Sequence, residues 1–168
     1  MVKEVAGQAY LALATYEGIY SKLWNAIYEV IQDNVNDPKN RTDFKWIWSA
    51  YPTHEINEAE NSSFDELKNF YPLIVISPVE SSYEPLVLNG ATIDRTIRFS
   101  IEIYSDSLAN LDKLADSIDE QIRAHKDYFA ARGLTSIALQ STEFANFTRS
   151  GLVIYVKVMR YRGVYSGA

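Results

Sequence analysis

Two histidines and a scatter of carboxylates are the main material the sequence offers for catalytic or metal chemistry. His54 stands beside Glu55 and close to Glu58 and Glu60. That grouping could hold a divalent ion, but its spacing matches no closed metal motif, and a solvated acidic segment has the same composition. His125 falls between Ile122 and Phe129 near an apolar stripe. A structural or surface role suits it there, because general acid–base work requires an oriented partner. The order of predicted elements given below also fits a metal-dependent nuclease, in which carboxylates hold the ion and a lysine two residues after the second acid assists the attacking water. Asp94 and Glu102 are the carboxylates that the third predicted strand offers. Glu102 is followed by Ile103 and Tyr104, so that lysine is missing. There is no cysteine, which removes disulfides, thiolate metal sites and a thiol nucleophile. The seven glycines are scattered, and no phosphate-cradling loop, zincin helix or nucleophile elbow occurs. The expectation is a chain with no catalytic, metal or cofactor-binding residues.

Charge clusters suggest contact rather than chemistry. Arg149, Lys157, Arg160 and Arg162 form the one basic concentration, and Tyr155, Met159 and Tyr161 interleave with them. Cations mixed with aromatics suit nucleic acid or a subunit interface, and the interface is favoured. Asp106, Asp112, Asp116, Asp119 and Glu120 flank the apolar face of a predicted helix, with Lys113 and Arg123 nearby, and read as a solvated surface.

Periodicity supplies the elements that position these residues. Tyr16, Ile19, Tyr20, Leu23, Trp24, Ile27, Val30 and Ile31 mark one helix face. The helix start is placed near Thr15 or earlier, and its end by the turn formers from Asp33 to Asn40. Asp43–Trp48 reads as a strand. Tyr51 to Asn69 is polar and acidic and reads as a long loop with one short helical turn. The run from Pro72 to Pro78, closed by prolines at both ends, reads as a buried strand, and Asn89-Gly90 as a turn. Thr92 to Tyr104 alternates, with Ile97, Phe99, Ile101 and Ile103 on one face and Thr96, Arg98, Ser100, Glu102 and Tyr104 on a wet one. Ser105-Asp106-Ser107 caps a second helix carrying Leu108, Leu111, Leu114, Ala115, Ile118, Ile122 and Phe129 inward, and Gly133 ends it. Two strands close the chain, about Thr135–Thr142 and Leu152–Tyr161, joined through Asn146 to Gly151. The predicted order is α-β-β-β-α-β-β: an α+β fold with two amphipathic helices on one face of a largely antiparallel sheet and the other face left to water or a partner.

With 168 residues, 47% of them hydrophobic, the chain is sized for a single domain spanning 1–168, with a long polar insertion at about 34–69. Twenty-two acidic against sixteen basic residues give a charge of −6, the wrong sign for default binding to a polyphosphate. The first residues make a poor signal peptide, and no apolar run reaches the roughly 20 residues of a membrane-spanning helix, so no membrane role is expected. Aromatics at 13% serve cores and interfaces alike.

Three stretches carry a family resemblance: Tyr20–Ile27, Tyr71–Ile76, and Ile97–Ser105 running into Leu111–Ile118. With the element order and the Gly133-Leu134 break before two closing strands, the chain resembles the tail terminator (tail completion) proteins of long-tailed bacteriophages and related archaeal viruses. The resemblance runs from about Tyr16 to Tyr161, and the stretch from Asn34 to Asn69 is longer than the family pattern. It implies a structural virion protein at the head-proximal end of the tail, assembled in a host cytoplasm as a homo-oligomeric ring of six. Such a ring caps the tail tube protein, offers a docking surface to the head connector or head-closure protein, and lets DNA pass through its lumen without specific binding. A ring closed by heterologous contacts needs two different patches per subunit. The residues wagered for subunit or tube contacts are Arg98, Glu102, Tyr104, Arg149, Tyr155, Lys157, Arg160, Tyr161 and Arg162. The acidic stretch from His54 to Glu66 is expected to order only against a neighbour. Another head–tail junction or neck or sheath-associated protein, and a small metal-dependent nuclease, remain as alternatives.

Overall fold

A computed structural model describes residues 18–83 and 93–167. The expected start of the first helix before residue 18 and the Asn89-Gly90 turn lie outside the described residues. The helices are α1 (Ile19–Asn34), α2 (Thr53–Ser62), α3 (Phe64–Phe70), α4 (Leu108–Ala124) and α5 (Lys126–Ala130). The strands are β1 (Ile47–Trp48), β2 (Leu73–Ile76), β3 (Glu80–Tyr83), β4 (Ile93–Ser105), β5 (Leu134–Arg149) and β6 (Leu152–Gly167). They form one six-stranded sheet in the order β1-β2-β4-β6-β5, with β3 also on β4. Only the β1–β2 pair is parallel. The fold is the α+β arrangement that the hydrophobic periods predict.

The first sheet face is built as expected. Leu23, Ala26, Ile27, Val30 and Ile31 of α1 and Leu111, Leu114, Ala115, Ile118 and Ile122 of α4 are buried. They pack on Ile74, Ile76, Ile97, Phe99, Ile101, Ile103, Met159 and Tyr161. Polar bonds fix the layers: Trp24 Nε1 donates to the Ile76 carbonyl at 3.0 Å, and the Tyr161 hydroxyl donates to Asp119 at 3.0 Å. Ser107 caps α4, its hydroxyl accepting from the Asn110 amide. The helix stops at His125 rather than running on to Phe129, and α5 carries the chain to Gly133, whose φ of +87° suits glycine.

The second face departs from the expectation. The 51–69 segment is two helices, not a loop with one turn, and it finds its partners within the chain rather than waiting for a neighbour. Ile56 and Leu67 are fully buried, and with Phe70 and Tyr71 they cover Leu73, Val75, Leu152, Ile154 and Val156. Ser63 ends α2 and caps α3, accepting from the Glu66 amide at 3.0 Å. Aromatic rings make up much of this layer: Phe44 meets Phe70 edge-on with centroids 5.2 Å apart, and Tyr51 lies 4.8 Å from Tyr104. The wet face assigned to β4 is therefore wet only in part, since Tyr104 lies under this layer and Thr96 is buried.

Arg41 ties the layer to the sheet. Its guanidinium binds both Asp37 oxygens at 2.7 and 3.1 Å and donates to the carbonyls of Asn69, Phe70 and Pro72. Burial alone would raise the Asp37 carboxyl, but the bonds from Arg41 and from the Lys39 amide hold it below its usual value.

Three strand boundaries also shift. The first strand narrows from Asp43–Trp48 to Ile47–Trp48. The closing strands lengthen to 16 residues each, leaving Ser150-Gly151 as the turn, with φ of 48° and 81°. Two successive positive φ values make the tight hairpin that matches strand twist.

Candidate functional site

The structure separates the wagered interface residues into two groups. Tyr104, Arg149, Lys157 and Tyr161 are engaged within the chain. The Tyr104 hydroxyl donates to Glu102 at 2.7 Å, and burial raises its pKa. Tyr161 is 2% exposed and stacks on Phe99. Arg149 pairs with Glu60 at 2.7 Å and also binds Asn57, which clamps the hairpin end to α2. The Ser150 hydroxyl and Arg149 together lower the Glu60 pKa. Lys157 pairs with Asp112 at 3.1 Å, and Tyr155 stacks on the exposed Phe144.

Arg98, Arg160 and Arg162 are different. All three are exposed on the part of the second face that α2 and α3 leave uncovered. Arg98 on β4 stands directly opposite Arg162 on β6, and Ser100 stands opposite Arg160 in a neighbouring row. On the far side of β6, Ser141 is opposite Arg160, and Glu80 of β3 is opposite Arg98. Together with Gln140 these residues line a shallow concavity of about 600 Å³. Arg160 pairs with Glu143. Arg98 and Arg162 make no ion pair among the described residues. Like charges placed directly opposite in a sheet oppose one another, so the pair favours an anionic visitor.

The two histidines and the carboxylates near them do not converge, and the Asp94 side chain lies outside the described residues. His54 pairs with Glu58 one turn along α2 at 3.3 Å, both exposed, while Glu60 turns to Arg149 and Ser150. His125 Nδ1 lies 2.8 Å from the Gln121 carbonyl at the end of α4. Among the described residues no three potential ligands gather, and no helix is long and apolar enough to cross a membrane. Asp106 sits in the turn before α4 and pairs with Lys39 at 3.3 Å, away from the acidic helix surface it was grouped with.

Sequence reasoning named the three arginines but missed Ser77, Glu80, Gln140 and Ser141, which share their concavity. Register alone brings these residues together, and it has no local signal. The Arg41 clasp was also missed, although Asp37 and Arg41 stand at the four-residue spacing of a local ion pair.

No protein-family model matches the chain, and no curated protein matches it. Among solved structures, a chain of "Virion of native gene transfer agent (GTA) particle" is similar to it with a TM-score of 0.50 at 9% identity. The likeness covers 86% of this chain and 95% of that one, so the two share a fold over nearly the whole of the virion chain.

Proposed function

We propose that the chain is a structural virion protein without catalytic activity: a subunit of a ring, of six copies, that closes the head-proximal end of a tail tube and presents a docking surface to the head connector. The observation that carries the reading is the fold shared with a chain of the gene transfer agent virion over 95% of that chain's length. The family resemblance of the Tyr20–Ile27, Tyr71–Ile76, Ile97–Ser105 and Leu111–Ile118 stretches points the same way. A ring subunit needs surfaces rather than a reactive cleft, and the open arginine-bearing sheet face is one such surface. The net charge of −6 suits a lumen through which DNA slides without being gripped.

The test is solution mass by light scattering with negative-stain images of the same sample, alone and mixed with the tail tubes of the parent particle. The expected species is a ring of 19.1 kDa chains near about 115 kDa with an open centre, or a cap on tube ends. A compact dimer that ignores tubes would count against it. Binding along a sheath or at the connector alone would move the chain to another place in the same junction.

A further inference from the structure

We infer that the arginine-bearing sheet face of one copy docks on the Asp116–Glu120 ridge of α4 in the next copy, a head-to-tail contact that supplies both patches of the ring; this rests on the ring reading above. The two surfaces are complementary in sign and similar in make-up. Asp112, Asp116 and Glu120 are exposed and follow one another at four-residue steps, so they form a single line along α4. Like charges at that spacing repel on an isolated helix. Arg98 and Arg162 repel across a strand pair in the same way. Each set also has one member already held by a partner of opposite sign, Asp112 by Lys157 and Arg160 by Glu143. That leaves two carboxylates and two guanidiniums without an ion pair among the described residues. Glu80 opposite Arg98 and Lys113 beside Asp116 offset only part of this repulsion, and docking one surface on the other relieves the rest.

Geometry selects a second copy in head-to-tail relation. The buried side of α4 packs on the first sheet face, so Asp116 and Glu120 turn outward on that side, while Asp112 at the end of the ridge reaches Lys157 of β6. Arg98, Arg160 and Arg162 project from the opposite face. A two-fold pairing would need ridge and arginines to meet reciprocally within one interface, which their places on opposite faces of the subunit prevent, whereas a heterologous step brings ridge to arginine at every interface. The ridge from Asp112 to Glu120 runs about 12 Å along the helix. The arginines start from adjacent strands about 5 Å apart, with Arg160 about 7 Å along β6 from Arg162, and their long side chains fan to a matching span. Lys113 and Arg123 border the ridge, with Arg123 held by Asp119.

The test is a charge swap on the full chain, read by sedimentation over a wide concentration range. One variant carries Arg98→Glu and Arg162→Glu, the other Asp116→Lys and Glu120→Lys; all four positions are exposed, so folding is checked by circular dichroism and is expected to be unchanged. Wild type is expected to associate, and each variant alone to stay at 19.1 kDa. An equimolar mixture of the two variants is expected to regain the wild-type species, because each interface then pairs opposite signs again. Variants that associate as wild type does would overturn the contact and leave the ring standing. A wild type that stays monomeric at the highest concentration would overturn the contact, and one that also leaves tube ends uncapped would overturn the ring with it. Duplex DNA binding lost in the arginine variant, without any chain–chain association, would assign the patch to phosphates instead.

Discussion

The two faces of the sheet are held by different physics. On the first, two long helices bury mainly aliphatic side chains turn after turn. On the second, two short helices cover only part of the sheet, and the contact leans on rings and cations: Arg41 lies 4.4 Å from the Phe44 centroid, and Lys45 4.2 Å from that of Trp48. An aliphatic layer spreads its stability over many equivalent contacts, while the second layer concentrates it in a few polar and aromatic junctions. The uncovered remainder of the second face then becomes surface for a partner.

The sharpest way to break this contrast is to truncate one fully buried residue in each layer. Ile118→Ala on α4 should cost about 4 kcal/mol in urea unfolding, because the surrounding helices and sheet cannot close on the cavity. Hydrogen exchange should quicken throughout the molecule. Arg41→Ala should cost about 3 kcal/mol, since it strands Asp37, whose side chain is 9% exposed, and frees three carbonyls at once. Arg41→Lys should recover little, because an ammonium cannot reproduce the forked contact. Leu67→Ala, at the same burial as Ile118, should cost about 2.5 kcal/mol. Its exchange should quicken in α2 and α3 while α4 stays protected, because short helices can part locally. Equal loss of protection in α4 would show that the two layers are one cooperative unit.

The same contrast explains what could be read in advance. α1, α4 and β4 each bury a regular face, so the 3.6-residue and 2-residue periods of Leu23 to Ile31, Leu111 to Ile122 and Ile97 to Ile103 were legible. α2 and α3 were not, because Ile56, Leu67 and Phe70 are their only buried hydrophobics among acids, amides and serines. Such composition matches a solvated loop until the aromatic layer beneath it is known. The end of β5 was hidden for a related reason: Glu143 to Ala145 are exposed on both faces, and the strand persists through its hydrogen bonds to β6. The arginines were legible by type. Their shared site was not, because the register of β3, β4, β5 and β6 decides it, and Tyr104 and Tyr161 have the same side-chain chemistry as interface residues although their own chain uses them.

The smallest effect sharpens the comparison through pH. Asp37 is held below its ordinary value of 3.8 in the folded chain. A carboxylate lowered by folding contributes stability that is fully present above the unfolded value and is lost as pH falls through the folded one. Glu60, lowered by Ser150 and Arg149, has the same sign. Both belong to the second layer, so acid should loosen α2, α3 and the hairpin end first, below about pH 4, while the aliphatic layer around α4 holds. In Asp37→Asn the acid limb of stability against pH should be shallower than in wild type, with the neutral-pH plateau lowered, because the variant has already lost what protonation removes. Denaturant midpoints collected from pH 2 to 7 would check this, and an unchanged acid limb would mean that Arg41 holds the layer through its carbonyl contacts alone.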